Sequence, residues 1–306
     1  MAIKCHATVL SGAVTRKTLR ILPAAFATFI AFAALTACSA PARSAASASY
    51  YLALGDSLSQ GVQPDAAGAS VETGQGYPDL LYAMLHRDRP SLRLVRLGCP
   101  GETTTTMMDG GICRYAGGSQ LAAADAFLRA HRGRVVLVTL DIGANDPQDC
   151  VDTSGLAMIS SCLTSMPDAA RNLNAILADL RSAAGPGTRI VGMNYYLPEL
   201  AQWRNGYLGE EVARLSARIA TSYNSLLMST YARADIAVAN VFGAFDTTDF
   251  GDQEAVPGFG TLPRNVALIC RWTWACAQPP RGPNQHANQA GYTVIADAFL
   301  RVAGLS

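Results

Sequence analysis

The clearest structural signal in this chain of 306 residues is the stretch YYLALGDSLS, residues 50–59. Its five leading apolar residues run without interruption into a Gly-Asp-Ser turn. A short apolar run bounded by a turn is typical of a strand buried on both faces of a parallel sheet. We therefore predict that a strand ends near Gly55. Ser57 would then lie at the carboxyl edge of the sheet, where open α/β folds bind ligands.

Four further apolar runs of the same kind follow along the chain: Leu92–Leu97, Val135–Leu140, Arg189–Met193 and Ile236–Val241. Amphipathic segments between and after them predict helices at Tyr77–His86, Leu121–Ala130, Ala169–Ala183, Glu211–Tyr231 and Ala290–Val302. Alternating strands and helices predict a doubly wound α/β fold. The expected architecture is a flavodoxin-like, five-stranded parallel sheet with helices on both faces. Two long segments, Asp146–Pro167 and Phe242–Gly282, are predicted to be irregular.

The first 50 residues differ in character from the rest of the chain. Residues 1–20 are basic and lack acidic side chains, Ile21–Ala37 is apolar, and small residues follow. This pattern predicts a signal peptide at residues 1–37. The tetrapeptide LTAC, residues 35–38, resembles a bacterial lipobox, which implies lipidation of Cys38 and a flexible tether at residues 38–49. Cleavage near Ala46 or Ala48 would instead give a freely secreted protein. Either way we expect an extracytoplasmic location.

Residues 50–306 are expected to form one domain, large enough for a full hydrophobic core. The net charge is +1, and no basic cluster stands outside the first 20 residues, so nucleic acid is not an expected partner. The sequence lacks a His-Glu-x-x-His zinc motif, a phosphate-binding glycine loop and a dinucleotide fingerprint. We expect no metal or organic cofactor, a monomer, and contact with a membrane only through the N-terminal lipid.

Six cysteines remain after Cys5 and Cys38 are assigned to the N-terminal segment. An even number of cysteines in an exported chain indicates disulfides, although spacing alone does not fix their connectivity. They form three local pairs along the sequence: Cys99 and Cys113, Cys150 and Cys162, Cys270 and Cys276.

Three predicted strands end in segments that combine glycine with polar residues: GDSLS at 55–59, LGCPGETT at 97–104 and DIGAND at 141–146. A fourth polar segment, GPNQHANQAGY at 282–292, precedes the last predicted helix. Each segment alone has a simpler structural explanation. Ser57 is a plausible helix N-cap, the glycines of the second segment turn the chain, and Asn145 suits an Asx-turn.

In this order, the four segments resemble blocks I, II, III and V of the SGNH, or GDSL, hydrolase family. The resemblance covers Tyr50–Gly304. It is closest to secreted actinobacterial-type esterases and lipases with three sequential disulfides, whose pattern is similar to LGCPGET at 97–103 and RWTWAC at 271–276. It implies the pairings Cys99–Cys113, Cys150–Cys162 and Cys270–Cys276.

The resemblance also implies the roles of individual residues. Ser57 would be the nucleophile, and the backbone N–H groups of Ser57 and Gly101 with the side-chain amide of Asn145 would form an oxyanion hole. Gly98 is the alternative to Gly101. His286 would be the general base, which agrees with the other three histidines lying in the N-terminal segment or at the ends of predicted helices.

The sequence departs from the family at one position. The family has an Asp three residues before the catalytic His, and Pro283 stands there. We therefore expect a backbone carbonyl, from Pro283 or Asn284, to orient the imidazole. A carboxylate from the long loop, Asp249 or Asp252, is the alternative.

The implied function is an exported serine esterase or lipase that hydrolyses acyl or lipid esters through an acyl-enzyme. A carbohydrate O-acetylesterase and a non-catalytic surface lipoprotein are the competing hypotheses. Several aromatic residues in or near predicted loops are candidates for an acyl groove: Tyr195, Tyr196, Trp203, Phe242, Phe245 and Phe259.

Overall fold

The computed structural model describes residues 48–147 and 159–305, the first six residues of the second range as backbone only. Its central element is a five-stranded parallel sheet in the order β4-β1-β5-β6-β7. The strands are β1 (Ser49–Gly55), β4 (Leu92–Arg96), β5 (Val135–Asp141), β6 (Arg189–Met193) and β7 (Ala237–Ala239). The predicted five-stranded doubly wound sheet is confirmed.

Helices cover both sides of this sheet. They are α1 (Tyr77–Asp88), α2 (Thr104–Asp109), α3 (Gln120–Ala130), α4 (Ile159–Ala184), α5 (Tyr207–Arg233), α6 (Val241–Ala244), α7 (Arg264–Trp272) and α8 (Gln289–Ala303). Helix α1 packs on α8, whereas α3 packs on α4 and α4 on α5. Because helices cover both faces, the central strands β1 and β5 are almost entirely buried, as their continuous apolar runs predicted.

The join between β1 and β5 depends on a glycine. Gly55 ends β1 with a φ of +133°, and a Cβ there would lie 2.0 Å from the backbone oxygen of Asp141. Only glycine fits this close approach of two strand ends. The backbone N–H of Asp56 then donates to the same Asp141 oxygen, at 3.0 Å. The turn that carries Ser57 is thereby fixed to the end of the neighbouring strand.

The two segments expected to be irregular are partly ordered, so that prediction was wrong in part. Helix α4 already begins at Ile159 and continues through Pro167. Pro167 was read as the end of a loop, but residues on both sides of it are helical. The segment 242–282 contains α7 and a hairpin, β8 (Gln253–Val256) and β9 (Gly260–Pro263). The glycines and prolines around these short elements conceal their periodicity.

Two small features complete the fold. A second hairpin, β2 (Gln63–Pro64) with β3 (Ser70–Val71), follows the Ser57 turn, and a 3-10 helix at Pro198–Asn205 precedes α5. Within the described ranges, no helix has the length and apolar character needed to cross a membrane.

The described residues contain two of the three predicted disulfides. Cys99–Cys113 closes the loop after β4, with its Cα atoms 6.0 Å apart, and Cys270–Cys276 joins α7 to the segment after it, with its Cα atoms 4.9 Å apart. The predicted Cys150–Cys162 pair lies outside the described residues, as do the signal peptide, Cys38 and nearly all of the tether.

Candidate active site

Ser57 is the exposed point of an otherwise buried turn. From Tyr51 to Pro64 every residue except Ser57 is buried, and Ser57 itself is partly accessible. The turn is closed by the backbone N–H of Val62, which donates to the Ser57 carbonyl at 3.1 Å. The Asp56 carboxylate accepts the Leu58 N–H at 2.9 Å. These bonds hold the Ser57 hydroxyl outward at the carboxyl end of β1.

The imidazole of His286 lies directly over this hydroxyl. Its Nε2 atom is 3.0 Å from the Oγ atom of Ser57. His286 precedes α8, whose N-cap Asn288 accepts two backbone N–H groups and so fixes where the helix begins. The structure therefore brings together the two residues that the sequence predicted as nucleophile and base.

Asn284 holds the other side of the imidazole. Its Oδ1 atom lies 2.8 Å from Nδ1 of His286 and accepts the backbone N–H of the same residue at 3.0 Å. Because that backbone group is a donor, the shared Asn284 atom is the oxygen and not the nitrogen. Nδ1 must then carry the proton, which leaves the lone pair of Nε2 facing Ser57.

The predicted orientation of His286 by a backbone carbonyl was therefore wrong, although Asn284 was one of the two residues named. The acceptor is the side-chain oxygen of Asn284, and Pro283 makes no such contact. An Asn side chain often accepts the backbone N–H of the residue two positions later, in an Asx-turn. The spacing of Asn284 and His286 in the sequence already indicated this contact. The carboxylate of Asp249, the alternative, accepts the N–H groups of Gly251 and Asp252 in its own loop.

Burial determines the proton affinity of His286. Desolvation lowers the pKa of this imidazole from its usual value near 6.5 to about 4. A neutral amide oxygen beside Nδ1 does not offset this effect as a carboxylate would. At neutral pH His286 is therefore uncharged, the form that accepts a proton.

A cavity of about 260 Å³ opens beside Ser57 and includes the predicted oxyanion donors. Ser57, Gly101, Asn145 and His286 all line it. Gly101 has a φ of +83°, and the direction of its missing Cβ is open space. The Asn145 amide donates to the Glu102 carbonyl at 2.8 Å, which holds that side chain beside the Gly101 turn.

The alternative glycine, Gly98, occupies a different environment. A Cβ at this position would lie 1.8 Å from the Oγ atom of Ser59. Gly98 thus packs against the turn that carries Ser57, and neither cavity beside Ser57 includes it. Of the two glycines, only Gly101 lies beside the cavity in which an ester would bind next to Ser57.

A second cavity, of about 210 Å³, lies on the other side of Ser57 between β6 and α5. Its walls are mainly apolar and aromatic, formed by Met166, Tyr195, Tyr196, Leu197, Pro198, Ile219 and Ala220. Two carboxyls, Asp56 and Glu199, are part of the wall, and burial raises the pKa of both. Of the aromatic residues predicted for an acyl groove, Tyr195 and Tyr196 line this cavity. Phe245 is buried in the core, and Trp203, Phe242 and Phe259 lie outside the cavity.

Most of the chain matches one known protein family. Residues 53–294 match the GDSL-like lipase/acylhydrolase family. The chain belongs to this family. It is therefore a carboxylic ester hydrolase of the SGNH type, and the predicted family is confirmed. No curated protein matches the sequence.

Solved structures share the fold of this GDSL hydrolase at low sequence identity. Phospholipase A1 from Streptomyces albidoflavus NA297 is 19% identical with a TM-score of 0.52, covering 83% of this chain and 99% of that one. A variant of an acetyl xylan esterase from Geobacillus stearothermophilus is 16% identical with a TM-score of 0.50, covering 85% of this chain and 96% of that one. These similarities establish the fold, whereas substrate preference requires separate argument.

The GDSL turn also rests on a buried carboxyl pair that sequence reasoning missed. Asp56 and Asp141 are both buried and interact with each other, and two neighbouring buried carboxyls do not both ionise at neutral pH. Burial raises the pKa of Asp56 to about 6 and that of Asp141 well above its usual range. Tyr77 donates to Asp141 at 2.6 Å and the Ser59 N–H donates at 3.1 Å. The pair therefore joins the nucleophile turn to β5.

Asp146, at the end of the third motif, has a structural role. Its carboxylate accepts both the backbone N–H and the hydroxyl of Thr104 at the start of α2. Asn172 of α4 donates to the same hydroxyl at 3.1 Å. These bonds connect the loop that carries Asn145 to the loop that carries Gly101. The two predicted oxyanion donors are therefore held in fixed positions relative to each other.

Proposed function

We propose that this protein is an exported serine esterase that hydrolyses acyl or lipid esters through an acyl-enzyme on Ser57. The observation that carries the proposal is the contact of 3.0 Å between Nε2 of His286 and Oγ of Ser57. The contact lies between a cavity with mainly apolar and aromatic walls and a second cavity lined mostly by polar residues. The imidazole is neutral and oriented by Asn284.

In the first step, His286 takes the hydroxyl proton of Ser57 while the oxygen attacks the ester carbonyl. Negative charge develops on the carbonyl oxygen, facing the N–H groups of Ser57 and Gly101 and the amide of Asn145. Each such donor contributes about 10²- to 10³-fold in rate. The tetrahedral intermediate then breaks the bond to the alcohol oxygen, which leaves with the proton held by His286.

In the second step, water replaces the alcohol. His286 removes a proton from the water as it attacks the acyl carbonyl, and the same donors stabilise the second oxyanion. The bond to Ser57 breaks, the serine oxygen regains a proton from His286, and the acid is released. Oxygen and proton balances close without a metal or redox partner.

The two cavities support placing the acyl chain and the alcohol of the ester on opposite sides of Ser57. The apolar cavity beside α5 suits the acyl chain, because removing apolar surface from water is favourable. The other cavity includes Ser70, Glu72 and Gln285, which are exposed and polar. This side suits the alcohol, which must leave to solvent after the first step.

The test is hydrolysis of p-nitrophenyl esters from acetate to palmitate by the oxidised protein and by its Ser57→Ala variant. We expect activity on acyl chains longer than acetate, and its loss to background in the variant. Equal activity of the variant would contradict the assignment of Ser57. A folded protein without activity on any chain length would contradict the acyl-ester proposal.

A carbohydrate O-acetylesterase is the second candidate. The cavity that includes Ser70, Glu72 and Gln285 supports it, because sugar hydroxyl groups need hydrogen-bonding partners, and one structural neighbour is named as an acetyl xylan esterase. Release of acetate from acetylated polysaccharide, with activity declining beyond short acyl chains, would favour this candidate. The complete Ser57–His286 contact gives no support to a non-catalytic surface lipoprotein.

Export and lipidation at Cys38 remain part of the proposal. They are supported by the basic, apolar and small-residue order of residues 1–37 and by the LTAC tetrapeptide. Metabolic labelling with a tritiated fatty acid should mark the wild-type protein and not Cys38→Ala. Equal labelling of both would exclude lipidation at this position, and unlabelled protein in the medium would indicate free secretion.

A further inference from the structure

Helix α5 has an apolar face that no other described part of the chain covers. Its inner side is buried, for example at Ala213 and Ala217. On the outer side, Leu208 is 76% exposed, Val212 37% and Leu215 44%. With Ile219 these residues follow the spacing i, i+4, i+7, i+11, which aligns them in one stripe along a helix. Exposed single leucines are common on protein surfaces, whereas an ordered stripe of them is not.

The stripe leads into the apolar cavity beside Ser57. Ile219, at its inner end, is partly buried and lines that cavity together with Ser216 and Ala220 of the same helix. The distance along the helix from Leu208 to Ile219 is about 16 Å. An acyl chain lying on the exposed part of the stripe would therefore reach the cavity without crossing water.

We propose that the outer face of α5, defined by Tyr207, Leu208, Val212 and Leu215, docks on the surface of a lipid aggregate that holds the ester substrate. This inference rests on the proposed acyl-ester function and adds the physical state of the substrate. The acyl chain passes from the aggregate along α5, past Ile219, and its carbonyl reaches Ser57.

The flanks of the stripe have the composition of an interfacial helix. Tyr207 is 74% exposed, and the guanidinium of Arg214 lies 4.7 Å from the ring centroid of Trp203. Arg218 is exposed on the same helix. Aromatic and arginine side chains beside exposed leucines are typical of helices that lie in a lipid–water interface.

Charge and position favour a lipid surface over a protein partner. Glu210 and Glu211 lie among the arginines of α5, so the surface offers apolar contact more than net charge. Binding should accordingly depend weakly on salt. A protein partner seated on the stripe would lie against Ile219 at the edge of the cavity, whereas a lipid surface supplies the acyl chains that the apolar cavity accepts.

The test compares Leu208→Gln and Leu215→Gln with a matched control, Met228→Gln. Met228 is also exposed, at 39%, and lies on the same helix, but about 200° around the axis from Leu208. Each change is made in the Ser57→Ala background and binding is measured by co-sedimentation with phosphatidylcholine vesicles. We expect each leucine variant to bind about tenfold more weakly than the parent and the control to bind equally.

A second measurement uses active Ser57 protein and two physical forms of ester. Neither leucine lines a cavity beside Ser57, so hydrolysis of soluble p-nitrophenyl acetate should change by less than about twofold. Hydrolysis of an ester carried in phosphatidylcholine vesicles should fall with binding. Equal vesicle binding by all variants, or no binding by the parent, would overturn the docking proposal.

Two further outcomes separate this inference from related ones. A dimer of the parent that Leu208→Gln dissociates, without vesicle binding, would show that a second copy of the chain covers the stripe, and would overturn the proposal. Vesicle binding without hydrolysis of any ester would support the docking surface while contradicting the proposed esterase function. The two proposals can therefore fail independently.

Discussion

The side-chain oxygen of Asn284 lies 2.8 Å from Nδ1 of His286, where an acidic residue would complete a catalytic triad. The same oxygen accepts the backbone N–H of His286, so one acceptor fixes both the ring and the chain that carries it. An amide orients the correct tautomer as a carboxylate does, but it contributes no charge to the imidazolium formed during catalysis.

Replacing Asn284 should separate orientation from charge. In Asn284→Ala the imidazole loses its acceptor, and we expect kcat to fall about 10²-fold. In Asn284→Asp a carboxylate takes the same place, so activity should be retained and the acid limb of the pH profile should move upward, because a neighbouring anion raises the pKa of His286. Steady-state kinetics on a p-nitrophenyl ester would measure both effects.

The control for this comparison is Ser70→Ala. The Asn284 amide nitrogen lies 3.1 Å from the Ser70 hydroxyl, and the control removes that bond while leaving the contact with His286. Its kcat should stay within a few-fold of wild type. A loss as large as that of Asn284→Ala would assign the effect to the loop and not to the imidazole.

The pH dependence of kcat/KM should reflect the depressed pKa of His286. The base must be neutral, and its pKa is about 4, so activity should be nearly level from neutral pH to about pH 5 and decline below about pH 4. Between pH 6.5 and 4 the unfolded chain binds a proton that the folded protein does not, so this group lowers stability as pH falls. A half-maximal point near pH 6.5 would contradict the burial argument.

Substitutions at the two glycines of the second motif should have different effects, one on activity and one on stability. Gly101→Ala adds a Cβ in open space at a φ of +83°, with a strain of about 1–2 kcal/mol, and should lower kcat/KM at least tenfold in a folded protein. Gly98→Ala brings a Cβ into the Ser59 hydroxyl and should lower the free energy of unfolding by about 1–3 kcal/mol or more. Thermal unfolding beside kinetics distinguishes them. Unchanged activity in folded Gly101→Ala would remove Gly101 from the oxyanion hole.

The acids of the long loop should be dispensable for catalysis. Asp249 accepts N–H groups in its own turn, and the Nδ1 atom of His286 is already bonded to Asn284. Asp249→Asn and Asp252→Asn should each keep most of the wild-type kcat. A loss of several hundredfold in either variant, with the fold intact, would mean that a carboxylate reaches His286 during the reaction.

Sequence periodicity predicted the parts of the molecule that burial controls. All five strands of the main sheet lie where apolar runs predicted them, and the three central strands, β1, β5 and β6, are almost entirely buried. The order of the four motifs also predicted that Ser57 and His286 would lie close together. Strand ends in a parallel sheet share one edge, and the segment before α8 returns to it.

Features fixed by a single side chain were harder to predict. The choice between the carbonyl and the amide oxygen of Asn284 depends on one rotamer, and the Asp56–Asp141 pair depends on two strand ends meeting. Helix α7 and the β8–β9 hairpin are too short for a periodic signal. Two ion pairs tie them together, because Glu254 of β8 contacts both Arg264 and Arg271 of α7. Contacts between such distant positions are invisible to a local pattern.

The disulfide Cys270–Cys276 has a consequence for how the enzyme matures. It encloses Trp274. The backbone N–H of Trp274 donates to the carbonyl of His286, and the carbonyl of Trp274 accepts the backbone N–H of Asn284, each at 3.0 Å. The backbones of His286 and Asn284 are thus both hydrogen bonded to one residue inside a small covalent ring. Because the ring restrains the segment that holds both residues, we expect a chain in which this disulfide has not yet formed to position His286 and Asn284 less well and to hydrolyse esters more slowly.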